Sequence, residues 1–99
     1  MPLPSGLVPV TFPDGRVVSE VPVEFGWEDS DVKPIVVDRV VEYDDIPCII
    51  AVDGSVFRMR PSNDPNFPYR LEEVSTTLRS DAMFKGSIIS ESEAVKLIR

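Results

Sequence analysis

Apolar and polar residues alternate along much of this 99-residue chain. The longest alternation follows Pro13-Asp14-Gly15, a turn in which proline pre-sets one dihedral and glycine accepts a positive one. Val17, Ser19, Val21, Val23, Phe25 and Trp27 then hold one parity; Val18, Glu20, Pro22, Glu24, Gly26 and Glu28 hold the other. A period of two sustained this long predicts a half-buried strand. Pro22 has no N–H to give a ladder, so the strand is expected at a sheet edge, or bent or bulged at that point.

Shorter patterns flank it. Residues 1–7 read as an extended arm, and Val8 to Phe12 as a short strand. From Ile35 to Tyr43 the pattern favours Ile35, Val37, Val41 and Tyr43 on one face. Asp44-Asp45-Ile46-Pro47 is a turn by composition. The following Cys48-Ile49-Ile50-Ala51-Val52 has no polar residue, as expected of a central strand covered on both faces. Asp53-Gly54 is the strongest two-residue hairpin signal. Beyond it, Phe57 and Met59 face one way and Arg58 and Arg60 the other.

After a loop at 61–68 the pattern admits two readings. Leu71, Val74, Leu78 and Ala82 have helical spacing, with Glu72 and Glu73 near an N-terminus and Gly86 as a C-cap. Against this, Ser75-Thr76-Thr77 is poor helix material, and a turn at Ser80-Asp81 would make a hairpin with Met83 to Ile89. Local propensity favours the hairpin. Ser90-Glu91-Ser92-Glu93 is a capping box that opens a short helix over 90–99. The expectation is a single domain over 1–99 of α+β class with β dominant. It comprises a small antiparallel sheet of about five or six strands, curled or barrel-like, and a short C-terminal helix.

Composition narrows the chemistry more than the fold. With 42% hydrophobic and 27% charged residues, the chain is ordinary globular material. One cysteine excludes an internal disulfide, and the absence of histidine excludes a Cys/His zinc site and any Ser-His or Cys-His nucleophile. Cys48 sits in an apolar run with no basic residue flanking it, which reads as a buried, inert thiol. There is no GxxxxGK[ST] or GxGxxG phosphate loop and no Asp-x-Asp-x-Asp-Gly calcium loop. No enzyme mechanism, metal or cofactor is therefore expected. The N-terminus lacks a secretory pattern, and no apolar run reaches the ~20 residues of a membrane span, so the expected location is cytoplasmic, with no membrane partner.

Charge supplies the candidate sites. Within residues 20–45, nine acids stand against Lys33 and Arg39, which accounts for the whole net charge of −7. Nucleic acid is disfavoured as a partner, because phosphates would be repelled. Glu20, Glu24, Glu28, Asp29 and Asp31, grouped about the single tryptophan Trp27, form a candidate protein-interaction segment for a partner with a basic surface. Arg58 and Arg60 are candidates for gripping an anion, or for pairing across the sheet with Asp38 and Glu42. The functional expectation is a non-catalytic interaction or accessory protein acting through the acidic 20–45 region. The alternatives are a structural subunit of a homo-oligomer or larger particle, assembling through edge strands and termini, and an acidic nucleic-acid mimic. A small Asp/Glu-only enzyme or metal protein is the reading of last resort.

Overall fold

The computed structural model describes residues 5–26, 32–74 and 76–98. Their order is β1 (Ser5–Thr11), β2 (Val17–Glu24), β3 (Ile35–Tyr43), β4 (Ile46–Ala51), β5 (Val56–Arg60) and β6 (Arg70–Glu73), then α1 (Thr76–Lys85), β7 (Ser87–Ile88) and α2 (Glu91–Leu97). The strands lie in the order β1-β2-β6-β5-β4-β3-β7, and β1 also pairs with β3. That last pairing closes six strands into a barrel, with β7 added outside on β3. The result is the β-dominant, barrel-like architecture with a short C-terminal helix that the patterning predicts.

Four details depart from the sequence pattern. Ser5 to Leu7, expected in an arm, belong to β1 and pair with β2 from Glu24 to Pro22. Two of the seams are parallel rather than antiparallel: Val10 and Thr11 lie beside Ile35 and Val36, and Val23 and Glu24 beside Leu71 and Glu72. β2 is therefore no edge strand. Pro22 is accommodated because the β6 pairing covers only Val23 and Glu24, and because the strand is bulged just before it.

The bulges explain a third departure. Between Val8 and Val10 of β1 the partner advances from Val21 to Val18, so β2 carries one extra residue opposite Pro9. An extra residue reverses the parity beyond it. Val21, Val23 and Phe25 are buried, yet Val18 takes the inner side while Val17 is exposed. β3 does the same near Asp38, where Val37 pairs with Ala51 but Arg39 with Ile50. Ile35, Val37 and Val40 face the barrel interior, and Val41 faces outward. A strict alternation of Ile35, Val37, Val41 and Tyr43 does not survive that shift.

The interior is filled by buried side chains from all six strands, among them Val10, Val21, Ile49, Met59 and Leu71, with Phe25 and Phe57 edge to face at 6.0 Å. α2 packs against β3 and β4, burying Ala94 in this cluster with Val95 and Ile98 beside it. Its N-terminus is capped as the sequence foretells: the Glu93 N–H donates to Ser90 Oγ at 3.2 Å.

The fourth departure is α1, where a hairpin was favoured. A second apolar cluster on the outside of the barrel comprises Val41, Cys48, Ile50 and Val56, and α1 covers it with Ala82. The three Ser/Thr residues of α1 cost about 0.5 kcal/mol each relative to alanine, roughly 1.5 kcal/mol in all. Leaving those apolar side chains wet would cost about 1.5–3 kcal/mol apiece, so burial decides the matter. The same cover fulfils the expectation for β4, with Ile49 and Ala51 inside and Cys48 and Ile50 under α1. The hairpin signals also change weight. Asp44 and Asp45, both at positive φ (52° and 62°), make the tight two-residue turn, whereas Asp53-Gly54 sits within a four-residue link, 52–55.

Gly86 joins α1 to β7 in a space that admits no side chain. A Cβ there would lie 2.4 Å from the Ala82 carbonyl and 3.0 Å from the Val41 side chain. Gly86→Ala is expected to destabilise the protein by about 1–3 kcal/mol, through overpacking against backbone that cannot yield. Urea denaturation measures this, with Gly15→Ala, in open space, separating steric overlap from backbone strain.

Candidate functional site

The described members of the acidic segment do not gather into one patch. Glu20 and Glu24 are exposed on β2, with β1 lying between them and β3. On β3, Asp38 is bound to Arg39 at 2.5 Å, while Glu42 accepts the Asp45 N–H at 2.9 Å across the β3–β4 turn. Trp27, Glu28, Asp29 and Asp31 lie outside the described residues. Among the described residues no three of Asp, Glu and Cys come together as a set able to hold a metal ion.

The arginines are placed differently from the pattern's simplest reading. β5 runs between β4 and β6, so Arg58 and Arg60 have no access to Asp38 and Glu42 on β3. Their cross-strand partners are Glu72 and Arg70 respectively.

Cys48 is fully buried under α1, and burial pushes its thiol up to about 11. Arg58 stands directly across the ladder from it and pulls the other way, but burial prevails. No neighbour in sequence reveals that arginine, because the β4–β5 register supplies it. Tyr69 is also buried, and its hydroxyl donates to Glu91 Oε2 at 3.2 Å. Glu91 in turn is ion-paired with Arg16, whose guanidinium lies over the Phe12 ring at 5.2 Å. Burial first, and the Glu91 carboxylate second, push the Tyr69 phenol upward. This cluster ties α2 to the barrel. Its one carboxylate is held by two donors, the Tyr69 hydroxyl and the Arg16 guanidinium.

The unsatisfied surface lies elsewhere. Phe84 near the end of α1 is 83% exposed, and Ile88 on β7, four residues on, is 75% exposed. β7 pairs with β3 through Ile88 and Ser87 and, among the described residues, with nothing on its other side. It leads into a groove of about 570 Å³ lined by Phe12, Arg16, Arg39, Val40, Ile89 and Glu91, among others. Arg39 also reaches the Met83 carbonyl at 3.5 Å, a long contact at the C-terminal end of α1 where a cation is favoured. Sequence reasoning missed this surface because the favoured hairpin gave Phe84 no helix face; on the helical alternative, Phe84 falls off the Leu78–Ala82 stripe and points outward.

Compared with known proteins, the chain matches no family model, no curated protein and no solved structure. No helix among the described residues is long and apolar enough to cross a membrane.

Two groups give this structure an alkaline limit. Cys48 and Tyr69 both hold their protons more tightly folded than unfolded. Between the unfolded thiol value near 9 and the folded value near 11, the native state therefore binds more protons, and stability falls as pH rises. The thiol alone should account for a loss of up to about 2 kcal/mol by pH 11, with nothing lost below pH 8. Urea midpoints across pH 7–11 measure it, and Cys48→Ala should flatten the thiol's share of the slope. At pH 8 the native thiol should react with a disulfide reagent only as fast as the protein unfolds.

Proposed function

We propose that the protein is a non-catalytic interaction module that docks a segment of another protein along the α1–β7 surface. The observation that carries this reading is the exposure of Phe84 and Ile88 beside an unpaired strand edge. Large apolar side chains are rarely left in water so completely at adjoining positions, and free edges are normally blunted or covered. An extended segment laid on β7 would gain main-chain hydrogen bonds, while its alternate side chains would meet Phe84, Ile88 and the adjoining groove. The acids of residues 20–45 contribute a long-range field that favours encounter with a basic partner, and the apolar patch supplies the affinity.

A second reading, a subunit of a homo-oligomer, draws on the same edge. Antiparallel pairing of β7 with its copy about a two-fold axis would be self-complementary. The nucleic-acid mimic finds less support, since the described acids are divided among β2, β3 and a turn.

Light scattering coupled to size-exclusion chromatography separates the two readings: a dimer that Ile88→Lys returns to monomer selects the second. For the first, proteins captured from host lysate are compared between wild type, Phe84→Ser/Ile88→Ser and Glu20→Ser/Glu24→Ser. Loss of a hot-spot aromatic weakens binding by about tenfold or more. The captured set should therefore vanish with the apolar variant and persist, more slowly formed, with the acidic one. A set indifferent to Phe84 and Ile88 removes this surface from the proposal. Both variants should melt within a few degrees of wild type, because neither side chain is buried.

A further inference from the structure

We infer that the outer face of β5 and β6 is a binding site for a compact phosphoryl anion, held by Arg58, Arg60 and Arg70. Met59 and Leu71 are register partners buried in the barrel, so the residues flanking them point outward. On that outer face Arg60 lies directly opposite Arg70, and Arg58 opposite Glu72. Like charges in direct opposition weaken an antiparallel pair, and an acid at either position would have relieved the strain. The arginines keep it instead: Glu72 stands across from Arg58, but among the described residues no carboxylate forms an ion pair with any of the three. The ion pairs among the described residues are Arg16–Glu91, Lys33–Asp53, Arg39–Asp38 and Lys85–Asp81, and none involves these three arginines. Arg70 is held in place by donating from Nε to the Pro61 carbonyl at 3.3 Å, which steadies its guanidinium at the rim.

A recess of about 240 Å³ opens against Arg58 and Arg60, between β4 and the end of α2, with Met59 and Pro61 also in its lining, while Arg70 lines a separate recess of about 310 Å³ beside Glu24. Pro47, Leu97 and Ile98 form the apolar wall of the smaller recess, and Asp45 is its one carboxylate. Guanidinium forks on neighbouring strands match the oxygens of a phosphoryl group, and their mutual repulsion is relieved when it arrives. The ligand must be compact. Glu24 and Glu72, partners across β2 and β6, bound the arginines on one side and Asp45 on another, so an extended polyanion would run into carboxylates. The recess is also smaller than the ~300 Å³ at which ordinary ligand pockets begin. Such a phosphoryl group comes either from a free phosphate compound or from a phosphorylated side chain.

Calorimetric titration in low-salt, phosphate-free buffer tests this, with inorganic pyrophosphate as one probe and phosphoserine as the other. Wild type should bind at least one probe saturably. The variant Arg60→Gln/Arg70→Gln should bind it about tenfold more weakly or not at all, while Arg79→Gln, an exposed arginine on α1, should match wild type. Tighter binding of pyrophosphate names a free phosphate compound as the source, and tighter binding of phosphoserine names a modified protein. Failure of both probes overturns the site, as does equal binding by the Arg60/Arg70 variant. Melting supplies a second readout. Without ligand at low salt, the double variant should melt at or above the wild-type temperature, because it has lost a repulsion. A clear fall would show that the arginines are structural and overturn the inference.

Discussion

Everything in this protein depends on the closure of the sheet. Two short parallel seams achieve it: β1 beside β3 at Val10 and Thr11, and β2 beside β6 at Val23 and Glu24. An open sheet of six strands would present two long rows of unpaired backbone groups to any passing strand. Closing it shortens both rows, two residue pairs at each seam, and creates a single interior in which Val10, Val21, Ile49, Met59 and Leu71 are shielded together. The bulges near Glu20 and Asp38 belong to the same event, since an extra residue bends a strand and raises its twist. Pro9 and Pro22, awkward in a flat ladder, stand at or beside one of these irregularities.

Closure also determines where recognition can occur. Among the described residues the two-residue strand β7 pairs on one side only, and the exposed aromatic Phe84 lies four residues before its Ile88. α1 exists in this form because the outward faces of β3, β4 and β5 carry an apolar cluster that must be covered. The proposed docking surface is thus a by-product of a stability requirement: the helix that seals Cys48 and Ile50 leaves Phe84 exposed. Closure likewise sets Arg60 against Arg70, because β6 must slot between β5 and β2. Recognition and folding draw on the same register.

Net charge and surface chemistry act at different ranges. A chain carrying −7 repels phosphate-rich polymers at long range, yet three arginines grouped on one face are felt strongly within a few ångströms. In the proposed anion site, the flanking acids Glu24, Glu72 and Asp45 favour a small anion over a polymer. The buried groups are quiet by comparison. Cys48 and Tyr69 hold their protons because burial keeps water from them.

The sequence by itself determined the elements whose cause is local. The alternation through Val21, Val23 and Phe25, the unbroken apolar run of β4, the turn at Pro13-Asp14-Gly15 and the capping box before α2 each depend on neighbours within a few residues. Composition also leaves no second cysteine for an internal disulfide and no histidine for a Ser-His or Cys-His pair within this chain. Tertiary structure decided what depends on residues far apart in the chain: the two parallel seams, the parity reversals at the bulges, and the helical form of 76–85, where burial outweighed the propensity of Thr76 and Thr77. The candidate surfaces fall on the same side of that line. Arg58 and Arg60 were visible as a pair, but Arg70 joins them only through the β5–β6 register. Phe84 and Ile88 were left exposed only when α1 packed on the barrel with its other face. Alternation reports which side of a strand is dry, but which strands meet, and at which residue, is settled by the long-range burial that closes the barrel.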